Sequence, residues 1–394
     1  MNGNWRYALF VTMALLFATG HASAAPTDNP QILHSFCNLQ CLDGQQPTYL
    51  APGRGGVFYG IDTGAVFRVD PASRNFSVFY KLDPGGWYTP RWLASASNGN
   101  LYGALEFGDV NSGPIIFRLS PTGDYTLLHT FASDEYAEDV PNSAPVEDSQ
   151  GNWYGTTQTE FNDPLVRRAG AAPGMIDTNQ FYGDSIYEIT RDGVYKTLDN
   201  SPDVNGVNGL VLAPDGNLYG TTEWGGSYGV GSVFRFTSDG VLTTLHSFGA
   251  PGAEDEGASP TTPLVVGPDG ALYGATSEQA SGGYPPEDGG AMFRITLSGQ
   301  LTTLHHFDEW PGTSAALTLM PDGYFYGIRA TSLFRISPTG DGYTEFPVDN
   351  GGNFFLLPAA PLLRGFDNAL YGIMDYSGRW GGGTLFRFVP PPVQ

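Results

Sequence analysis

The side chains able to do chemistry are few and gather in short runs. Carboxylates cluster at Asp134, Glu135, Glu138 and Asp139, at Glu254, Asp255 and Glu256, and at Asp308 and Glu309. Such groups supply the oxygen ligands that Ca2+ takes, although no segment has EF-hand spacing, and a solvated acidic surface is the plainer reading. Trp87, Trp224, Trp310 and Trp380 lie in glycine- and proline-rich stretches, where an indole can stack on a sugar ring or anchor a partner. Arg167 and Arg168 sit in a long segment without periodicity. Four of the six histidines, His34, His129, His246 and His305, share one short motif, Leu-His-Ser/Thr/His-Phe, so acid–base work by histidine is poorly supported. Gly225-Gly226-Ser227-Tyr228-Gly229 fits G-x-S-x-G, but that nucleophile needs a strand-to-helix turn and the flanks here read as a hairpin.

The elements that position these residues are written as a repeat. Tyr-Gly recurs at Tyr59, Tyr102, Tyr154, Tyr219, Tyr273, Tyr326 and Tyr371. Each is followed by a second mark, Phe-Arg at Phe67, Phe117, Phe234, Phe293, Phe334 and Phe386, and Tyr187-Glu188 in the third copy. A fixed order of marks at a period of roughly 40–65 residues signals a repeat architecture. Each copy reads as four strands, a to d, with Asn/Asp-Gly turns that supply the positive φ a hairpin needs. The expected fold is all-β, one seven-bladed β-propeller with blades near 45–81, 88–131, 142–199, 206–248, 258–307, 313–347 and 357–389. Ile32-Leu33-His34-Ser35-Phe36 matches the last strand of other copies but has no copy in front of it, while the final copy stops after strand c. Residues 30–36 are therefore expected to complete the last blade and close the ring.

Features present in every copy are structural, because one active site has no sevenfold requirement. Departures from the repeat mark the candidate site. The b–c loop of the third blade has 30 residues, Thr156 to Ser185, where the shortest b–c loops have five. That loop, the acidic d–a loops and the four tryptophans all emerge on one face, which is the expected ligand face.

The repeat Asp-Gly-x-Leu-Tyr-Gly-Thr-Thr … Val-Phe-Arg … Thr-Thr-Leu-His-Ser-Phe, clearest from Asp215 to Phe248 and from Asp269 to Phe307, resembles the GloVer tandem repeat of bacterial exported "choice-of-anchor" proteins. The resemblance implies export and a repeat fold, and no reaction. The C-terminal Val389-Pro390-Pro391-Pro392-Val393-Gln394 carries no anchoring signal of the kind the family label suggests.

With 18 basic against 40 acidic residues and a net charge of −22, the chain lacks the basic face that nucleic acid or an anionic membrane needs. Arg6, the apolar run Tyr7 to Ala18 and Ala22-Ser23-Ala24 read as a signal peptide over residues 1–24, leaving a soluble, monomeric, periplasmic or secreted protein. In that compartment Cys37 and Cys41 are expected to form a disulfide. Two functions fit: a binding module for an extracytoplasmic glycan, peptide or surface partner, with Ca2+ as the one cation the acidic loops could take, or a metal-dependent propeller hydrolase or lyase acting on a lactone or polysaccharide. Mass spectrometry of the exported protein checks the processing. Cleavage between Ala24 and Ala25 is expected, with both cysteines refractory to alkylation until reduced.

Overall fold

The computed structural model describes residues 30–36, 46–82, 88–107, 113–131, 137–161, 184–199, 206–260, 262–278, 289–307, 316–329, 332–347, 361–374 and 382–392, with backbone only at 137, 138, 159–161, 254 and 278. These residues form seven antiparallel sheets, each a blade of a seven-bladed β-propeller. Blade 4 shows the unit. Strand a, Val207–Leu212, pairs with strand b, Leu218–Thr222, then strand c, Ser232–Phe236, and strand d, Leu242–Ser247. The seventh blade is assembled from both chain ends. Leu363–Arg364, Leu370–Met374 and Thr384–Phe388 supply three strands, and Gln31–Ser35 is the fourth. Gln31 lies opposite Arg387 and Ser35 opposite Thr384, and Phe36 N–H donates to the Gly383 carbonyl at 2.9 Å. The orphan N-terminal strand thus closes the ring as its sequence implied.

The blades bury almost everything on both faces. Strand c reads buried at four of five positions in six blades, and the exception each time is the arginine or Glu188. Cores form between neighbouring sheets, as where Ile186 of blade 3 packs with Val207, Leu210, Phe234 and Phe236 of blade 4. Strand-b tyrosines meet the next blade's strand b: Tyr371 lies 4.6 Å from Phe58, Tyr102 4.9 Å from Trp153 and Tyr273 4.5 Å from Phe325. The strand-d histidines do likewise at the rim, His34 stacking on Phe76 at 4.0 Å, His129 on Tyr195 at 3.7 Å and His305 on Tyr343 at 4.2 Å. Their repeated motif is an inter-blade contact.

The glycine of each Tyr-Gly pair has a different cause from the close approach of a neighbouring blade that its position suggests. It sits in register with the strand-c aromatic of its own blade, Gly60 opposite Phe67 and Gly220 opposite Phe234. The far end of that ring lies against the glycine. A Cβ would stand 2.1 Å from the Phe67 ring at Gly60, 2.5 Å from Phe234 at Gly220 and 2.4 Å from Phe386 at Gly372. Overpacking of this kind costs about 1–3 kcal/mol, and at Gly220 the Gly209 carbonyl closes the other side at 2.9 Å. Gly220→Ala should therefore lower stability by about 2–3 kcal/mol in urea unfolding, and Phe234→Leu placed in the same chain should recover part of that loss.

Candidate functional site

The inner strands of all seven blades surround a central channel holding a cavity of about 490 Å3. Its wall is largely aliphatic, with Leu50, Leu93, Leu210 and Leu363 among the lining residues. Asn142, Ser143, Asn208 and Thr262 stand at the entry of the inner strands, and Tyr49, Ser95 and Glu147 are the other polar side chains on the wall besides Trp153. Each asparagine reaches across a blade boundary. Asn142 Nδ2 donates to the Val207 carbonyl at 2.7 Å, and Asn208 Nδ2 donates to the Pro260 carbonyl at 2.5 Å. With the amide nitrogen so fixed, the carbonyl end of each amide is the acceptor a ligand can use. Ser143 Oγ lies 3.2 Å from Thr156 Oγ1. Glu147 is the one carboxylate on the lining, and Ser97 already occupies it through its N–H at 2.8 Å and its hydroxyl at 2.9 Å.

In the sequence Asn208 is a polar exception in the apolar run Val207 to Leu212, whereas Asn142 and Ser143 have no such run around them. The inner strand of blade 3 is broken into Ala137–Pro141 and Val146–Glu147, and these two residues occupy the break. Pro141 faces Thr157 as Val207 faces Thr222, which places Asn142 level with Asn208, and each donates to the matching carbonyl of the next blade. Asp184 was also missed, at the end of the long loop. It is buried and accepts a hydrogen bond from Gly206 N–H, joining blade 3 to the start of blade 4.

The loop residues singled out in the sequence fare unevenly. Trp224 is 45% exposed, and its ring lies against Gly206, where a Cβ would stand 3.0 Å away. Trp87, Trp310, Trp380, Arg167, Arg168, Asp134, Glu135, Cys37 and Cys41 lie outside the described residues, as do Asp308 and Glu309. Glu138 and Glu254 are described in backbone only. Asp139 sits within the first strand of blade 3, and Asp255 is exposed, its carbonyl accepting from Thr303 Oγ1 at 3.2 Å. Glu256 Oε2 lies 2.7 Å from His246 Nε2, which ties that acidic turn to strand d. Among the described residues no three His, Cys, Asp or Glu side chains gather as a metal site, and no helix is long and apolar enough to cross a membrane.

On the opposite face, the a–b turns carry a polar cluster built from the repeat marks. The strand-b tyrosine is in register with the strand-c arginine, as Tyr371 is with Arg387. In blade 7 the aspartate four residues before the tyrosine receives both. Tyr371 Oη donates to Asp367 Oδ2 at 3.0 Å, and Arg387 Nη2 binds the same oxygen at 2.6 Å. Tyr219 donates to Asp215 at 2.8 Å, Tyr326 to Asp322 at 2.7 Å, and Arg294 Nε to Asp269 Oδ2 at 2.7 Å. Burial, then the hydrogen bond to Asp367, pushes the Tyr371 phenol up to about 12, so it stays a donor throughout the neutral range. Burial pulls the Asp367 carboxyl upward, but the hydrogen bonds from Arg387, Ala369 N–H and Tyr371 outweigh it and hold the group below its usual range.

No protein-family model matches the chain, and no curated protein matches it. Solved structures share its fold. A streptogramin B lyase is 17% identical with a TM-score of 0.58, over 88% of this chain and 94% of that one. The extracellular domain of a B. thetaiotaomicron protein described as a hybrid two-component system is 10% identical with a TM-score of 0.58, over 91% of this chain and 39% of that one. A puromycin hydrolase is 15% identical with a TM-score of 0.54, over 84% of this chain and 50% of that one. At these identities the likeness establishes the propeller alone.

The turn clusters predict a pH dependence. Asp367 has a folded-state pKa below its ordinary 3.8, so its contribution is complete above about pH 4 and is lost as pH falls through the lower folded value. Asp367→Asn should lower the melting temperature at pH 7, and the gap from wild type should narrow steadily below pH 4. A gap that does not change with pH would mean the carboxylate charge contributes nothing there.

Proposed function

We propose that the protein is an exported binding module that holds an extracytoplasmic glycan, peptide or surface partner at the mouth of its channel. One observation carries this reading. The described channel lining offers hydrogen-bonding side chains that do not titrate in the neutral range, Asn142, Ser143 and Asn208, on an aliphatic wall, with both oxygens of its single carboxylate, Glu147, accepting from Ser97. Acid–base or nucleophilic chemistry requires a titratable group with access to the substrate, whereas recognition requires fixed donors and acceptors in a concave apolar setting. The exposed indole of Trp224 and the Thr156–Ser185 segment belong to the b–c loops on the same face and would extend the contact beyond the mouth. Membership of the GloVer repeat group, removal of residues 1–24 and a Cys37–Cys41 disulfide belong to the same proposal, all consistent with work outside the cytoplasm. An extracellular sensor domain among the proteins of like fold fits this setting.

The test is a screen of glycans, peptides and cell-surface fractions on the mature protein, with and without Ca2+. Asn208→Ala and Trp224→Ala should each weaken binding by about 1–3 kcal/mol, and removal of residues 162–183 should weaken it while leaving the melting transition cooperative. Unchanged binding in all three variants would move the site elsewhere. Turnover of a lactone or polysaccharide that requires a divalent cation would replace this reading with an enzyme.

A further inference from the structure

The turn clusters on the face opposite the channel mouth lack their carboxylate in blades 1 and 2, and only blade 1 has no polar side chain in its place. Four residues before the strand-b tyrosine stand Asp215, Asp269, Asp322 and Asp367 in blades 4 to 7, and Asn98 in blade 2. Blade 3 has Gln150 there, but Asp148 accepts from Tyr154 at 3.2 Å and Glu188 replaces the arginine. Blade 1 keeps the tyrosine and the arginine in register, Tyr59 opposite Arg68, and places Gly55 where the aspartate belongs. The turn has the same length, closed by Gly53 N–H to the Val57 carbonyl at 2.8 Å, as Ala213 N–H closes on Asn217 in blade 4. Gly55 is left-handed at φ 72°, unlike the four aspartates, so the backbone of this turn differs, and a Cβ built on Gly55 would meet nothing within 4 Å beyond its chain neighbours.

Tyr59 and Arg68 line a pocket of about 350 Å3 between blades 1 and 2, while Gly55 itself turns toward the neighbouring pocket that Asp367 and Arg387 line. The first pocket is also lined by Arg54 and Phe366, and its lining contains no aspartate or glutamate. Two guanidinium groups without a lining carboxylate are unusual in a chain of net charge −22. Arg54 is held at the rim by its Nη2 bond to the Ser97 carbonyl at 2.6 Å, and Asp70, near Arg68, spends Oδ1 on the amides of Ala72 at 3.0 Å and Ser73 at 3.4 Å. Phe366 also breaks the repeat. It stands where blades 4 to 6 have Pro214, Pro268 and Pro321, and it is 78% exposed beside the pocket, 3.7 Å from a Cβ built on Gly56. An exposed phenyl face next to paired guanidinium groups is the donor set for a ring that carries a carboxylate.

We propose that this pocket binds a uronic acid residue of an acidic glycan, whose carboxylate takes the place of the absent aspartate against Tyr59 and Arg68 while its pyranose ring stacks on Phe366. The site is on the opposite face from the channel mouth and stands or falls independently of the reading given above. Blade 7 shows the arrangement the ligand would complete, with Asp367 accepting from both Tyr371 and Arg387.

Calorimetric titration of the mature protein with glucuronic acid, galacturonic acid, glucose, sodium acetate and phosphate tests this. Saturable binding of a uronic acid is expected, with none for glucose and at least about tenfold weaker binding for acetate and phosphate. Arg68→Gln and the exposed Arg54→Gln should each weaken uronate binding about tenfold or more, and Phe366→Ala should remove the preference for uronate over acetate. Arg294→Gln, in a blade whose arginine already has Asp269, should leave it unchanged. Absence of uronate binding by the folded wild type, or equal affinity in Arg68→Gln and Arg54→Gln, would overturn the proposal. Acetate or phosphate binding as tightly as uronate would overturn the sugar assignment, and loss of binding in Trp224→Ala alone would place the ligand at the channel face instead.

Discussion

The whole ring depends on one contact repeated in every blade, an aromatic ring of strand c lying against a glycine of strand b. The spacing leaves no room for even a methyl group, with a hypothetical Cβ 2.3 Å from Tyr187 at Gly155 and 2.6 Å from Phe293 at Gly274. This contact fixes register, because a slip of one residue would carry every side chain to the other face and put the ring onto a tyrosine. Register in turn delivers the other two marks. The tyrosine before the glycine is directed at the next blade, and the arginine after the aromatic comes to lie opposite that tyrosine near the a–b turn. One steric fit within a sheet therefore sets both the packing between sheets and the polar cluster on one face.

Ring closure adds the second constraint. Inter-blade contacts such as His34 on Phe76 and Tyr371 on Phe58 join blade 7 to blade 1, and the first of these exists only because the N-terminal strand is in place. The imidazoles in these stacks sit between aromatic rings rather than over the channel. Burial holds His129 below the ordinary histidine range, which keeps it neutral and suited to stacking near neutral pH. Three of the four motif histidines are thereby accounted for by packing, and the fourth, His246, by Glu256.

The fold was legible in the sequence because a repeated motif averages out local ambiguity. Seven copies of Tyr-Gly and of the aromatic mark fix strand order and register, and one unmatched strand at each end implied the closure. The cause of the glycine was not legible, since a sequence shows that a small residue recurs without showing which neighbour excludes a larger one. The site was less legible for a related reason. Asn142 lies in a broken inner strand where the spacing to the repeat marks is disturbed, so its equivalence to Asn208 appears only once Pro141 is seen opposite Thr157. Trp224 was legible as a loop aromatic and is exposed, whereas the carboxylates of the acidic turns have local roles a sequence cannot assign, Glu256 binding His246 among them.

Repetition also changes what a substitution means. In an ordinary domain a glycine in a turn carries little information, because many turns accept one. Here the other copies state what the position holds when the cluster is complete, and the comparison becomes a subtraction made within one molecule. Asp367 with Tyr371 and Arg387 is the complete case, and Gly55 with Tyr59 and Arg68 is the same frame with the anion removed. The same logic separates the two faces. On the channel face the blades depart from one another by adding residues, as in the 30-residue loop from Thr156 to Ser185, while in the a–b turns they hold length constant and change single residues. Added loops can reshape around a large partner at the cost of ordering them, whereas a fixed turn with one altered residue presents a small, preorganised set of donors. The two faces are therefore suited to ligands of different size, and a propeller carries both because its seven turns and seven loops need only the sheets between them to hold register.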